Sequence, residues 1–392
     1  METRKTLPAS GCKAFLAILL SGLALFSCQT HTGGKKDGGD TLELRYARNL
    51  LMVQYADGLD VQLRNPWDTT RTLHRYWLTE EGTASPFPGS TTVNIPLHRA
   101  GVFTAVHASL IYELGCLDAI AGICEPEYIH NDQILQRMAR DGQAGEGQEP
   151  GTITDLGSGM NPNLERIMQV NADAVMPSPF QDNGGYGRLE SIGIPIIECA
   201  DYMEVSPLAR AEWIRFYGRL FGVADRADSL FGRVEKEYLA IRKQTEGMTH
   251  RPTLMVDRPY SGTWYTPGGQ STMGILYRDA GAEYLWADTH ESGSLSLSPE
   301  YILERAIDAD IWLLKYNQDG EMTYDQLRSD LPLATQFKAF REQNIYACNT
   351  HDIPFYEDTP FHPERLLADL LQIFHPELSV SAKYSYFCRM KE

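Results

Sequence analysis

Aromatic and cationic side chains are concentrated in residues 258–271, which follow a predicted strand and precede a predicted helix. Arg258 carries the planar guanidinium that binds ligand carboxylates through two parallel hydrogen bonds. Tyr260, Trp264 and Tyr265 offer rings that stack on a planar or macrocyclic ligand, and a tyrosine oxygen is a hard donor for ferric iron. The segment therefore predicts a ligand-binding loop. The alternative is that Trp264 and Tyr265 pack the loop onto its own domain.

Motifs of covalent chemistry are missing from the sequence. Gly157-Ser158-Gly159 lacks the Gly-x-Ser-x-Gly spacing of a nucleophile elbow, and neither a Walker A loop nor Gly-x-Gly-x-x-Gly occurs. Neither CxxC nor the metal-binding patterns HxH and HExxH occur, and no carboxylates are paired by a recognisable pattern. We predict no catalytic residue, no bound metal and no resident cofactor, and an enzyme is the alternative function with the least support.

The N-terminus has the pattern of an export signal. Basic residues precede an apolar run at 14–26, which ends in Ser27-Cys28. The run is too short for a mature membrane-spanning helix, and the ending resembles a lipobox. Residues 1–27 are therefore predicted to be a lipoprotein signal peptide, with Cys28 as the lipidated first residue. The alternative is an ordinary signal with an incidental cysteine. Residues 28–40 lack a core-forming composition and predict a flexible tether.

Charge and length exclude some classes of protein. The net charge of −17 argues against nucleic-acid binding, which requires basic surfaces. About 350 residues follow the tether, enough for two domains, and no later segment is long and apolar enough to cross a membrane. Five cysteines remain after Cys28, so at least one thiol is free; Cys116–Cys124 and Cys348–Cys388 are possible pairs that the sequence does not decide.

The spacing of apolar residues predicts an α/β fold. Residues 41–78 favour β structure with a hairpin at Asp57-Gly58. From 92 to 197 and again from 253 to 374, short strands alternate with helices, which predicts mainly parallel sheets. Between them, residues 206–245 favour one long helical stretch with a break near Gly222. We therefore predict two three-layer α/β lobes joined by a long rigid helix, with the ligand cleft between the lobes.

This layout resembles the helical-backbone (class III) periplasmic solute-binding proteins of ABC importers, which serve siderophores, haem and cobalamin. The resemblance covers roughly residues 90–378 and rests on five stretches in the expected order, at 110–123, 159–175, 189–196, 279–283 and 297–312. The implied domains are an N-terminal lobe with a β-rich start at 41–200, a backbone helix at 201–248 and a C-terminal lobe at 249–392. The β-rich start and the segment 141–150 depart from the family.

The resemblance implies which side chains face the ligand. Ligands of α/β folds bind at the carboxyl ends of strands, which selects loops in the first lobe in addition to residues 258–271. The candidate ligand-binding residues are therefore His98, Arg99, Tyr128, Pro179, Phe180, Arg258, Tyr260, Trp264 and Tyr265.

Two glutamates have a different expected role. Glu165 and Glu300 each begin a short predicted helix, one in each lobe, where the helix dipole alone would favour an acidic residue. In the family, one exposed glutamate on each lobe docks onto arginines of the permease, and the resemblance implies this role for both residues.

The expected function is capture of an iron complex, a siderophore or haem, and its delivery to an ABC permease and its ATPase. Iron comes first because it is the commonest cargo of the family, and cobalamin is the alternative cargo within the same fold. A lipid-anchored enzyme and a sensor built on the same fold are alternatives from other classes. We expect an exported, membrane-anchored lipoprotein that faces the periplasm and acts as a monomer.

Overall fold

The computed structural model describes residues 38–141, 151–180, 185–378 and 383–392. Contacts divide the chain into two units, Met1–Gly38 and Gly39–Glu392. The predicted signal peptide and lipidated Cys28 lie outside the described residues. Within those residues, no helix has the length and apolar character needed to span a membrane.

An N-terminal sheet opens the second unit. Its strands, adjacent in the order of the chain, are β1 (Asp40–Thr41), β2 (Leu50–Tyr55), β3 (Gly58–Arg64), β4 (Thr72–Thr79) and β5 (Thr91–Asn94). Tyr55 pairs with Gly58, which confirms the predicted hairpin. β5 runs parallel to β4, so the strand predicted at residue 92 completes this sheet and does not begin a βαβ unit.

A first parallel sheet follows, with the spatial order β11-β6-β7-β8. The elements of this region are β6 (Ala100–Val102), α1 (Ala105–Glu113), β7 (Ile120–Ile123), α2 (Asp132–Asp141), β8 (Thr154–Asp155), β9 (Gly157–Ser158), β10 (Asn161–Pro162), α3 (Leu164–Gln169) and β11 (Ala174–Met176). β6 is wholly buried, although the apolar spacing of residues 98–114 also fits a helix. A short apolar run is compatible with either a strand or a helix, and here it forms a strand of the buried sheet.

The helical stretch between the two parallel sheets is bent. It consists of α4 (Pro207–Glu212), α5 (Ile214–Leu220) and α6 (Ala224–Arg242), and Gly222 has a positive φ of 69° at the predicted break. A Cβ added to Gly218 would lie 2.1 Å from the Cβ of Ala227. In a straight helix these residues would lie about 13 Å apart. The predicted single rod is therefore wrong: the chain turns back at Gly222 and α5 packs against α6.

A second, mainly parallel sheet has the order β15-β12-β17-β18-β19, in which β19 alone is antiparallel to its neighbour. A separate antiparallel sheet joins β13, β14 and β16. The elements are β12 (Thr253–Val256), β13 (Pro259–Tyr260), β14 (Thr263–Pro267), α7 (Thr272–Asp279), β15 (Glu283–Tyr284), β16 (Ser294–Leu297), α8 (Pro299–Ala306), β17 (Ile311–Tyr316), α9 (Tyr324–Asp330), α10 (Lys338–Arg341), β18 (Ile345–Asn349), α11 (Phe355–Asp358), α12 (Pro363–Phe374) and β19 (Cys388–Arg389). The molecule is thus an α/β protein with parallel and mixed sheets, as predicted.

Two buried carboxylates attach the start of the chain to the helical stretch. Glu212 accepts hydrogen bonds from the backbone N–H groups of residues 45–47 at 2.8–2.9 Å. Glu204 accepts the N–H of Asn49 at 2.9 Å and the indole N–H of Trp213 at 3.0 Å. Because these carboxylates satisfy backbone donors, their burial is compensated. The N-terminal sheet is therefore fixed to the same helices that connect the two parallel sheets.

Candidate ligand-binding site

A cavity of about 890 Å³ opens at the carboxyl edge of the first parallel sheet. Phe103 and Thr104 line it directly after β6, Glu125 after β7, and Pro177 to Phe180 after β11. Its described lining residues all lie between positions 103 and 210. Small-molecule sites have volumes of this size and occur at this edge of open α/β sheets.

The cavity has an apolar and aromatic wall. Phe103, Met160, Phe180, Tyr186 and Leu189 contribute to it. Met160 is 72% exposed and Phe180 is 50% exposed, although both are large and apolar. Exposed apolar side chains gathered in a concave surface mark a binding site, since a ligand that covers them removes apolar area from water.

A small hairpin positions Met160 at the cavity. β9 and β10 form this hairpin, and the Oε1 atom of Glu125 accepts the N–H of Gly159 at 3.2 Å. Asp155 accepts the N–H of Gly157 at 2.8 Å. Glu125 has a φ of 55°, in the left-handed region that is uncommon outside glycine. Two carboxylates at the strand ends, Glu125 and Asp155, therefore position the hairpin that carries Met160 by accepting its backbone N–H groups.

The floor of the cavity is a buried polar network around Asp201, which is 0% exposed. Its Oδ1 atom lies 2.8 Å from His107 Nε2 and accepts the hydroxyl of Tyr217 at 2.7 Å, and its Oδ2 atom accepts Nε of Arg210 at 3.0 Å. His107 Nδ1 lies 2.5 Å from the Thr104 hydroxyl. Residues from α1, α4, α5 and the segment after β11 are thus joined at one carboxylate.

The charges of this floor follow from its contacts. Burial disfavours the imidazolium, but interactions with Cys199 and Asp201 raise the pKa of His107 to about 10. Burial likewise disfavours the carboxylate, yet His107, Arg210 and the Tyr217 hydroxyl lower the pKa of Asp201 to about 2. At neutral pH Asp201 is therefore a carboxylate, and its partners are the His107 imidazolium and the Arg210 guanidinium.

Some of the predicted ligand residues of the first lobe lie at this cavity. Pro179 and Phe180 are in its wall. Tyr128, 56% exposed, ends a 3-10 turn after β7 and is not among the lining residues. His98 and Arg99 precede β6, and their N–H groups bond to Asp173. They follow β5 of the N-terminal sheet and precede β6, so they lie at the amino end of the first parallel sheet, and the prediction that they lie at its carboxyl end is wrong.

Trp264 is a core residue. The predicted loop is a hairpin of β13 and β14 in which exposure alternates, so Trp264 is buried and Tyr265 is 46% exposed. The indole of Trp264 donates to the carbonyl oxygen of Val256 at 2.9 Å and packs on Trp312 and Phe337. With 0% exposure it has no surface for a ligand, so its predicted ligand contact is wrong.

The remaining predicted residues of the second region are accessible. Tyr260 is 76% exposed, and Arg258 is about a third exposed, with an ion pair to Asp330 at 3.8 Å. Together with Tyr265 they lie on or beside the β13–β14 hairpin, and none of the three lines the cavity of the first sheet.

Glu165 and Glu300 occupy matching positions. Each is exposed in the first turn of its helix, α3 or α8. Asn163 and Ser298 cap these helices by accepting N–H groups from the third following residues at 3.1 and 3.2 Å. Glu165 also borders the cavity, whereas Glu300 does not.

The polar floor was not predicted from the sequence. His107 and Asp201 are separated by 94 positions, and no local spacing connects them. A usable signal was the location of Asp201, shortly after the predicted strand at 194–197, since polar residues at strand ends favour sites. Among the described residues, no group of three or more metal-ligating side chains could hold a metal ion, and the described cysteines, Cys116, Cys124, Cys199, Cys348 and Cys388, are free thiols.

Comparison with known proteins identifies the family. The model of the periplasmic binding protein family matches residues 104–350, so this chain belongs to that family. An uncharacterized lipoprotein of Methanocaldococcus jannaschii is 23% identical over 367 residues, which are 88% of this chain and 85% of that protein. A second uncharacterized lipoprotein of that organism is 26% identical over 59% of each chain.

Solved structures share the fold. The structure titled as an ABC-type Fe3+-hydroxamate transport system, from Saccharomonospora viridis, has a TM-score of 0.52 at 22% identity over 71% of this chain and 94% of that one. The structure of IsdE from S. aureus complexed with haem has a TM-score of 0.51 at 15% identity over 71% and 99%. Family membership confirms the resemblance drawn from the sequence and the expectation that the protein is not an enzyme.

Proposed function

We propose that this protein is the substrate-binding component of an ABC importer and that it captures an iron complex, a siderophore or haem. The observation that carries the proposal is the cavity of about 890 Å³ at the carboxyl edge of the first parallel sheet of a periplasmic binding protein. Its aromatic wall suits a bulky chelate with apolar faces. Of two proteins with the same fold, one is described as a ferric hydroxamate transport system and the other was solved in complex with haem.

The second parallel-sheet region covers the bound ligand in this proposal. Residues 41–200 and 249–392 act as lobes, and residues 201–248 connect them. Tyr260, Tyr265 and Arg258 are accessible and would contact the outer face of the chelate. Because the connecting helices pack against each other and against the N-terminal sheet, we expect only a small closing motion.

Delivery requires contact with the permease and a location at the membrane. Glu165 and Glu300 are exposed on helices that begin in the same way, and we assign them to permease docking. Cys28 anchors the protein through a lipid, in line with two relatives that are called lipoproteins. The tether at 28–40 would let the folded unit reach the permease.

Ligand titration tests the function. Purified protein is titrated with a ferric trihydroxamate, haem and cobalamin, and binding is followed by absorbance and by quenching of tryptophan fluorescence. We expect an iron complex to bind with a dissociation constant below about 1 μM and to raise the melting temperature. Binding of cobalamin alone would replace iron by the alternative cargo, and binding of none of the three would contradict the proposal.

A further inference from the structure

Arg210 presents unused hydrogen-bond donors to the cavity. It projects from α4 into the floor, and only its Nε atom is bonded, to Asp201 Oδ2 at 3.0 Å. Its side chain is 23% exposed, and no described residue accepts a hydrogen bond from either of its Nη groups. A guanidinium has five donors in a planar fork, so most of the binding capacity of this one faces the cavity.

A second arginine of the chain shows how a structural ion pair differs. Arg75 also pairs with a buried aspartate, Asp60, but it uses two donors, Nε at 2.7 Å and Nη2 at 2.8 Å, one to each carboxylate oxygen. Asp201 cannot pair with Arg210 in this way, because its other oxygen is occupied by His107 and Tyr217. The network thus fixes the guanidinium and leaves its outer edge unpaired.

The lining of the cavity contains other charged side chains besides Arg210. Glu125 is engaged with the backbone of Gly159, and Glu165 is at the start of an exposed helix. Arg188 adds a second exposed cation to the lining. The guanidinium of Arg210 is therefore a positive group with unbonded donors at the cavity, in a protein whose net charge is −17.

We propose that Arg210 binds an anionic oxygen group of the ligand, such as a carboxylate or a catecholate, and thereby makes the protein selective for anionic metal complexes over neutral or cationic complexes of similar size. This inference rests on the proposed function and specifies its ligand class. Asp201 is the positioning residue, since it orients the guanidinium without contacting the ligand.

Charge-matched probes test the inference on the wild-type protein. Haem is compared with haem dimethyl ester, which has the same ring without the carboxylates, and an anionic ferric tricatecholate is compared with the cationic ferrioxamine B. We expect the anionic member of at least one pair to bind about tenfold or more tightly than its partner. Equal or tighter binding of the uncharged or cationic member in both pairs overturns the inference while the proposed function stands. Binding of none of the four contradicts the proposed function, and the inference with it.

Substitutions of Arg210 test whether this residue is the source of the preference for anionic complexes. Arg210→Gln should weaken the anionic probe about tenfold or more and leave its neutral or cationic partner unchanged, and Arg210→Lys should lose less because it retains the charge. Arg233→Gln removes an exposed cation of α6 and serves as the matched control, with no effect expected on either probe. An equal loss for both members of a pair would show that Arg210 only supports the structure. Thermal unfolding of each variant confirms folding, and if Arg210→Gln does not fold, Arg210→Lys and the wild-type probe pairs decide the question.

Discussion

The carboxyl edges of the two parallel sheets differ in how their charges and aromatic rings are used. At the first sheet, Asp201 joins two cations and a cavity remains open above them. At the second sheet, Lys315 is neutralised by Asp257 at 2.6 Å, and Trp312 donates to the backbone oxygen of Asp257 at 2.8 Å. The strand ends of the first sheet thus border an open cavity, whereas those of the second sheet hold a lysine and an aspartate that pair with each other.

This difference indicates that the two regions have different roles. A guanidinium whose Nη groups are unbonded beside an open wall can bind a ligand, whereas Lys315 and Asp257 neutralise each other. We therefore infer that the first region binds the ligand and the second region covers it. The two regions already meet at contacts such as the ion pair between Glu113 and His362, at 2.5 Å, and the contact between His130 Nδ1 and Glu357, at 3.1 Å.

The largest expected effect is on the free energy of unfolding, and it should differ between substitutions of Asp201 and Asp257. Asp201→Asn leaves His107 and Arg210 without their buried counter-charge, so the free energy of unfolding should fall by about 3–5 kcal/mol. Asp257→Asn should cost less, because Asp257 is 21% exposed and holds one cation, Lys315, whereas Asp201 is 0% exposed and holds two, of which His107 is 3% exposed. Urea denaturation of the two matched variants measures both values, and equal losses would contradict the contrast between the regions.

A second prediction separates neighbours on one strand. Trp264→Ala should lower the free energy of unfolding by about 3 kcal/mol, because it empties a site among Trp312 and Phe337, but ligand affinity should not change. Tyr265→Ala should alter stability by less than about 0.5 kcal/mol. If Trp264→Ala weakened binding in the still-folded protein, its assignment to the core would be wrong.

Glu198 gives the first region a pH-dependent stability. It is 2% exposed, and burial raises its pKa to about 7, although Tyr186 donates a hydrogen bond to it that acts in the opposite direction. The folded protein keeps a proton that the unfolded chain releases near pH 4.5. Stability should therefore fall by about 3 kcal/mol as the pH rises from below 4.5 to above 7, and then level off. Glu198→Gln should remove this slope in denaturation curves, and an unchanged slope would assign it to other groups.

The cavity wall should act on binding alone. Phe180→Ala removes a half-exposed ring and should weaken the iron complex about tenfold with little change in stability. Tyr128→Ala is the matched control, because Tyr128 is also exposed near the strand ends but does not line the cavity. Isothermal titration calorimetry measures the affinities of both variants. Equal losses of affinity would show that the ligand also contacts the surface outside the cavity, near Tyr128.

The smallest expected effect on folding and binding is at the docking glutamates. Glu165→Lys together with Glu300→Lys should leave stability unchanged, because both side chains are exposed and capping is supplied by Asn163 and Ser298. Glu300→Lys alone should also leave ligand affinity unchanged, because Glu300, in contrast to Glu165, does not line the cavity. Uptake of labelled ligand by cells should fall. Unchanged uptake in the double variant would refute the docking role.

Local pattern predicted much of the fold. The β2–β3 hairpin follows from its Asp-Gly turn, and α8 begins at the Ser298-Pro299 cap. Short apolar runs were ambiguous, so β6 was missed and His98 and Arg99 were placed at the wrong strand end. The turn at Ser261-Gly262, with φ of 48° and 81°, was a signal for the β13–β14 hairpin and for the burial of alternate residues.

The site itself depends on contacts that sequence order does not show. Pro179 and Phe180 were predicted because they follow a recognisable strand. The network of His107, Asp201 and Arg210 was not predicted, because its members come from α1, the segment after β11 and α4, which lie far apart in sequence or lack a local pattern that connects them.

A crystal structure of the protein with its iron complex tests the central claim most directly. We predict the complex at the carboxyl edge of the first parallel sheet, against Phe180 and Tyr186, with an anionic oxygen within hydrogen-bond distance of Arg210. A complex bound only to the second sheet region, with the cavity of the first sheet left empty, would contradict it.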